Sequence, residues 1–307
     1  MSRPIMIMMV GVPGSGKSTR AKELAVEFNA QIFSSDAIRA ELYGDEEYQG
    51  NNEKVFRVLE TRLLGCLKSG CNVIYDATNI HSKFRAHFVR TVRAVSDAYC
   101  RCEIVATEPN ECYWRNLRRY RVVPNEVIDR MIKQFQVPVP VEGWDEIRIF
   151  HSKKFDIYNY VDGVWKMDQM NSHHSLTLGD HMDRTRLWFV ENKSCEPMEV
   201  VAGLHDIGKP IAMTFTKPNG EKDTEAHYYG HENVGAYLIL CCDQWGFASD
   251  MTQIQMARLV QYHMLPYSAP KEGDKKQWLI GVLSRKGLDE NFAEALLDLH
   301  EADRSAH

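Results

Sequence analysis

The chain has 307 residues, 44% of them apolar and 26% charged, enough for about two packed domains and too apolar for intrinsic disorder. Its formal charge of −5 excludes a uniformly basic nucleic-acid coat, although residues 83–133 concentrate eleven Lys/Arg against six Asp/Glu. No run approaches the ~18 apolar residues of a membrane helix. The six-residue run Ile5–Val10 is also too short for a secretory leader. Eight cysteines form no C-x-x-C pair and no recurring disulfide spacing, so the expectation is a cytoplasmic chain with reduced thiols.

In chain order, the pattern predicts a buried parallel strand at 5–10, a helix at 18–28 and a short strand at 31–33. A helix follows at 52–68, where Val55, Leu59, Leu63 and Leu67 stand four apart before Ser69-Gly70. Strands at 72–75 and 102–106 enclose a helix at 83–95, and this alternation predicts a parallel sheet with flanking helices. An arginine-rich helical stretch runs from 109 to 135 and ends at Val137-Pro-Val-Pro140. Residues 150–170, mixed and aromatic, read as a connector. From 171 the strand signal fades, and helices are predicted at 180–193, 197–207, 229–245, 251–263, 276–285 and 289–305. The expected division is therefore an α/β domain at 1–150, a connector at 151–170 and an all-α domain at 171–307.

Gly11-Val-Pro-Gly14-Ser15-Gly16-Lys17-Ser18-Thr19 follows the first strand and opens a helix. This G-x-x-x-x-G-K-[ST] loop turns successive backbone N–H groups onto phosphates at a helix N-terminus. Lys17 is expected on the β- and γ-phosphates of ATP or another NTP, and the Ser18 hydroxyl on Mg²⁺. Ser34-Ser35-Asp36-x-x-Arg39 follows the second strand and so belongs at the carboxyl edge of the sheet. There Asp36 can take the proton of an attacking hydroxyl while Arg39 holds an acceptor phosphate. Asp76, opening Asp76-Ala-Thr-Asn79, can serve Mg²⁺ through water. In Trp114-Arg115-Asn-Leu-Arg118-Arg119-Tyr-Arg121, Arg115 and Arg119 stand four apart, with Arg118 beside them. On a continuous helix they would form one cationic face of a lid.

Together these motifs, with Pro138–Asp145 (P-x-x-x-E-G-W-D), make residues 5–147 resemble the P-loop polynucleotide kinase family. The resemblance implies that Asp36 is the general base for a 5′-hydroxyl and that Arg39 meets the neighbouring 3′-phosphate. It also implies that Arg115 and Arg119 contact donor phosphates.

The second half sets out Asp180-His181, Leu204-His205-Asp206-Ile-Gly-Lys209, Gly230-His231-Glu232, Tyr262-His263 and Ala302-Asp303 in that order. Imidazoles and carboxylates in this mixture suit one or two divalent ions of Mn, Co, Ni, Fe or Zn. The order H…HD…H…H…D resembles the HD phosphohydrolase superfamily over 171–307. That resemblance implies that Asp206 bridges two metals, with His181, His205 and Asp303 on one and His231 and His263 on the other. Lys209 would then neutralise a substrate phosphate. His173, His174, His227 and His300 are extras, expected in structural or surface positions.

The pairing resembles bifunctional HD-domain polynucleotide kinases that heal RNA ends. It implies ATP-dependent phosphorylation of 5′-hydroxyl RNA or DNA ends and metal-dependent removal of 2′,3′-cyclic, 2′- or 3′-phosphate. A separate RNA ligase would act downstream, with no membrane involved. The alternatives are a small-molecule kinase, for a nucleoside or sugar, fused to a nucleotide phosphohydrolase, or a nucleotide-switched RNA-binding module with a vestigial HD site.

Overall fold

The computed structural model describes residues 3–46, 48, 50–119, 121–172, 175–243 and 252–306. The chain divides into two compact units, Met1–Ile128 with Pro138–Lys153, and Asp129–Val137 with Lys154–His307.

In the first unit β1 (Ile5–Val10), α1 (Lys17–Glu27), β2 (Ala30–Ser34), α2 (Ser35–Tyr43), α3 (Asn52–Lys68), β3 (Asn72–Asp76), α4 (Ser82–Val95), β4 (Tyr99–Ala106), α5 (Pro109–Asn116) and, after an excursion, β5 (Glu146–His151) follow one another. The sheet is parallel throughout, in the order β2-β3-β1-β4-β5. This is the α/β fold of P-loop kinases, and the loop after β1 falls where strand order reverses, the customary ligand position in such sheets. The core forms around Ile7, Met9, Ala21, Leu24, Ile74 and Val105. On α3 the four leucine and valine positions spaced four apart are all buried, as their periodicity predicts.

Two expectations need correction in this unit. The basic stretch 109–135 is not one helix: α5 stops at Asn116, and α6 (Asn125–Lys133) starts anew. The Asn116 side chain stops it by bracketing Val123, accepting from its N–H at 3.0 Å and donating to its carbonyl at 2.6 Å. Strand β5, on the sheet edge, was not anticipated; its residues are only partly buried and lack the apolar run of a central strand. The E-G-W-D stretch is a structural strap. Glu142 accepts from Arg85 at 2.7 and 2.8 Å and from the Trp144 indole at 2.9 Å, while Asp145 accepts from the Cys100 backbone at 2.7 Å.

The second unit takes the end of α6 and the residues after it, then α7 (Ile157–Val164), α8 (Leu178–Asn192), α9 (Glu196–Ala202), α10 (Lys209–Ala212), β6 (Thr214–Thr216), β7 (Lys222–His227), α11 (His231–Cys241), α12 (Gln253–Tyr262), α13 (Lys275–Ser284) and α14 (Glu290–Ser305). It is predominantly helical, but not all-α: β6 and β7 pair as an antiparallel hairpin. Alternate residues of β7 are exposed and polar, so no apolar run advertised it. Segment 129–137 is built into this unit. Phe135 is fully buried edge-on against Tyr237 at 5.1 Å, and Gln261 bonds both the Phe135 carbonyl, at 2.8 Å, and the Val137 N–H, at 3.2 Å. Residues 157–164 of the expected connector form α7.

All eight cysteines are free, and among the described residues no helix is long and apolar enough to cross a membrane. His173, His174 and the ends of two predicted helices (244–245 and 251) lie outside the described residues.

Candidate active sites

In the first unit Gly14 and Gly16 take positive φ, 82° and 96°, so the phosphate loop can reverse into α1. A Cβ on Gly14 would stand 2.2 Å from the Cys112 carbonyl, so the loop is pressed against α5. The D-A-T-N turn clamps the end of β1: the Gly11 N–H donates to the Thr78 carbonyl at 3.0 Å, and Asn79 donates to the Met9 carbonyl at 2.9 Å. Lys17 is buried and folds over the loop to donate to the Val12 carbonyl at 2.8 Å. Ser15 is fully buried, and its Oγ has no hydrogen-bond partner. Ser18 and Thr19 are exposed at the first turn of α1.

The electrostatics of these groups are linked. Burial lowers the pKa of the Lys17 ammonium, with Asp76 opposing and Arg119 reinforcing the shift. Burial also raises that of the Asp76 carboxyl, against the pull of Lys17 and a hydrogen bond from Ser18. A buried acid hydrogen-bonded to Ser18, beside a buried lysine, fits a Mg²⁺-nucleotide between them. Asp36, at the first turn of α2 and 40% exposed, meets Arg39 at 2.8 Å and Arg121 at 3.4 Å. Arg39 is itself buried, and its second nitrogen donates to Asn52 at 3.1 Å.

The basic run resolves differently from its helical expectation. Arg115 lies on α5, paired with Glu111 at 2.7 Å, and donates to Ser152 at 2.8 Å and to the Ser15 carbonyl at 3.4 Å. Its guanidinium therefore sits at the phosphate loop. Arg119 falls after the helix end and does not share its face with Arg115, although it acts electrostatically on Lys17 and Asp76. Arg118 is stacked on the exposed Trp114 ring, 3.4 Å from its centroid. Arg121 takes a place at Asp36 that the spacing of the motif does not indicate.

In the second unit, Thr177 caps α8 and so starts the helix that carries His181. His205 and Asp206 lie in the turns after α9, and Asp303 lies on α14. His231 opens α11, and His263 closes α12. Gly208 explains the glycine of H-D-I-G-K, because a Cβ there would stand 2.1 Å from the His231 carbonyl. Only glycine lets this turn press onto α11.

Asp206 is buried at the centre. Its Oδ2 lies 3.3 Å from His181 Nε2 and 3.4 Å from His205 Nε2; its Oδ1 lies 3.1 Å from His231 Nε2 and 3.6 Å from His263 Nε2. Asp303 Oδ1 completes the first group, 3.1 Å from His181 and 3.4 Å from His205. His181, His205 and Asp206, and likewise Asp206, His231 and His263, offer ligand atoms all within 4.8 Å of one another.

The tautomers are set by the backbone. His205, His231 and His263 place Nδ1 2.7–2.8 Å from the carbonyls of Ala202, Tyr228 and Val260. A carbonyl only accepts, so each Nδ1 carries a proton, and wherever the ring is not doubly protonated its Nε2 presents a lone pair. Yet the Nε2 atoms of His231 and His263 face each other at 3.2 Å. Two lone pairs at that distance repel unless a cation lies between them. The spacing is close to the ~3.3 Å between two imidazole nitrogens each ~2.0–2.1 Å from one tetrahedral ion. Electrostatics agree: burial lowers the pKa of the His205 imidazole, but Asp206 and Asp303 outweigh it and raise it to about 10. This cluster therefore favours positive charge, and its residues fit a pair of divalent ions.

Lys209 is buried, 2.6 Å from Asp206 Oδ2 and 2.6 Å from Gln169 Oε1. Gln169, fully buried and within the expected connector, is a site neighbour that the sequence pattern does not reveal. His300 takes a structural position: it is 7% exposed and packs against Tyr267, away from solvent. His227 pairs with Asp223 at 3.0 Å on the hairpin.

Residues 6–138 match a family model described as an AAA domain. An L-seryl-tRNA(Sec) kinase of Methanococcus maripaludis is 26% identical over 178 residues, 54% of this chain and 66% of that protein. The chain thus spans just under two thirds of the length of this curated relative. Among solved structures, the Pnkp1/Rnl/Hen1 RNA repair complex matches at 26% identity and a TM-score of 0.40, covering 44% of each chain. A gluconokinase from Sinorhizobium meliloti matches at 17% identity and a TM-score of 0.35, covering 48% of this chain and 83% of that one.

Proposed function

We propose that the chain is a bifunctional enzyme of nucleic-acid end healing, with an ATP-dependent 5′-hydroxyl kinase in residues 1–150 and an HD-type phosphohydrolase in 171–307. The kinase reading rests on Asp36, a partly exposed carboxylate flanked by two guanidiniums and electrostatically coupled to the Lys17 of the phosphate loop. In this reading Asp36 takes the proton of the acceptor hydroxyl as its oxygen attacks the γ-phosphorus of ATP. Arg39 and Arg121 hold an acceptor phosphate. Lys17, Arg115 and Arg119 offset the charge of the donor phosphates, with Ser18 and Asp76 on the Mg²⁺ side. The kinship with a protein named as a kinase of a seryl-tRNA supports transfer to a hydroxyl carried on RNA.

The phosphohydrolase reading rests on the division of Asp206, one oxygen toward each histidine pair. His181, His205, Asp206 and Asp303 would hold one divalent ion, and Asp206, His231 and His263 the other. Bound there, the ions supply Lewis-acid charge for hydrolysis of a phosphate ester. Lys209, held between Asp206 and Gln169, supplies a cation for the phosphate itself. Both reactions convert ends of one polarity into the polarity that a separate RNA ligase uses.

The test is to incubate the full chain with RNA bearing a 5′-hydroxyl and a 2′,3′-cyclic phosphate, γ-labelled ATP, and Mn²⁺, Co²⁺ or Ni²⁺. The expected outcome is label at the 5′ end and loss of the cyclic phosphate. Labelling of free nucleosides or sugars as efficiently as oligonucleotides would replace this reading with the small-molecule alternative. Hydrolysis confined to mononucleotides would do the same for the second site.

A further inference from the structure

We propose that Tyr267 is a positioning residue that holds Asp303 to a single ligand oxygen and ties the two halves of the histidine–aspartate cluster together. The inference rests on the metal-binding reading of that cluster. The Tyr267 hydroxyl donates to Asp303 Oδ2 at 2.8 Å, whereas Asp303 Oδ1 faces the Nε2 atoms of His181 and His205 at 3.1 and 3.4 Å. With Oδ2 accepting from the phenol, the carboxylate is held with Oδ1 toward the ion, and rotating to chelate would cost that hydrogen bond. Outer-shell hydrogen bonds of this kind orient a ligand and set its affinity.

The phenol is itself held. Its ring meets His300 edge-on at 4.3 Å and 81°, and His300 lies one helical turn before Asp303 on α14. His300 Nε2 stands 3.2 Å from the Lys275 ammonium, which can only donate, so that nitrogen accepts and the ring is fixed in turn. Tyr267 lies in the 3₁₀ turn Leu265–Ser268, four residues after His263. The segment that carries a ligand of one ion therefore reaches across to the carboxylate of the other, by a path independent of Asp206. Nothing in the H…HD…H…H…D order marks this residue.

The test is a Co²⁺ titration of the full chain, followed by calorimetry for affinity and by visible absorption for ligand geometry. Wild type should take two ions per chain. Tyr267→Phe keeps the ring and its packing on His300, and should weaken one ion about tenfold. It should shift that ion's spectrum and leave the second ion and the 5′-kinase activity unchanged. In an Asp303→Asn background the same change should have no further effect, which a merely structural role would not produce. The cycle also decides the matter if Tyr267→Phe lowers the melting temperature. Unchanged Co²⁺ affinities, or equal weakening of both ions, would overturn the role of Tyr267 alone. A wild-type chain that binds no Co²⁺ would instead remove the metal reading, and this inference with it.

Discussion

Arg121 reaches the same Asp36 oxygen as Arg39, at 3.4 Å against 2.8 Å, although 85 residues separate it from that aspartate in the chain. Both arginines also point at the Glu46 carbonyl, at 3.0 and 3.5 Å. The carboxylate assigned as base is thus held by cations from two distant segments. On the proposed reading, an entering acceptor phosphate would compete with Asp36 for both of them.

Asp36→Ala should therefore lower phosphoryl transfer by about 10²–10⁴-fold, the usual worth of a positioned base, while nucleotide still binds. Arg121→Ala should act mainly on the acceptor, raising its KM about tenfold or more, as loss of a charge-assisted hydrogen bond does. End-labelling of 5′-hydroxyl oligonucleotides alongside equilibrium ATP binding separates the two. Full activity of the Asp36 variant would remove its assignment.

At the phosphate loop, Gly14→Ala should lower nucleotide affinity by at least about tenfold. A non-glycine residue in this backbone region costs about 1–2 kcal/mol, and the Cys112 carbonyl blocks the new methyl. Gly44→Ala, also at positive φ but with nothing within 4 Å, isolates the backbone cost and should leave affinity unchanged. Titration with a fluorescent ATP analogue distinguishes the two variants.

Asp206→Ala should strip both ions and abolish hydrolysis, since no other residue of the cluster faces both histidine pairs. His263→Ala touches one pair only and should leave one ion bound, with residual hydrolysis. Metal content by mass spectrometry and loss of a terminal cyclic phosphate give the two readouts. Kinase activity in both variants should match wild type.

Phe135→Ala should destabilise the second unit by about 3–5 kcal/mol, the range for an emptied aromatic site, although residue 135 precedes most of the chain that packs around it. A fragment ending at Lys153 keeps 129–137 without Tyr237 and Gln261, and should aggregate unless that segment is made polar. Thermal melts followed with and without ATP would assign each transition to its unit.

The parts of the fold and sites legible in the sequence are those whose physics is local. A phosphate cradle needs contiguous residues, so Gly11–Thr19 can be read directly. The α3 core positions announce themselves by spacing, and the clustered histidines by order. Arg121, Gln169 and Tyr267 carry no such signal, because each acts through contacts with segments far away in the chain. The spacing of Arg115 and Arg119 suggests one helix face because nothing in a run of arginines reveals that Asn116 turns its amide onto Val123. Strands β5, β6 and β7 lack the apolar run that would mark them in the sequence.

The built-in segment 129–137 also sets an order of events at the ribosome. Gln261 follows Phe135 by 126 residues, which at roughly 5–20 residues per second takes about 6–25 s to synthesise. Through most of that interval a phenylalanine destined for full burial lacks the partners that shelter it in the second unit. The nascent chain should then offer this stretch to hydrophobic-binding chaperones. Slow codons between β5 and α12 would lengthen that exposure and lower the soluble yield, whereas slow codons after α12 would not.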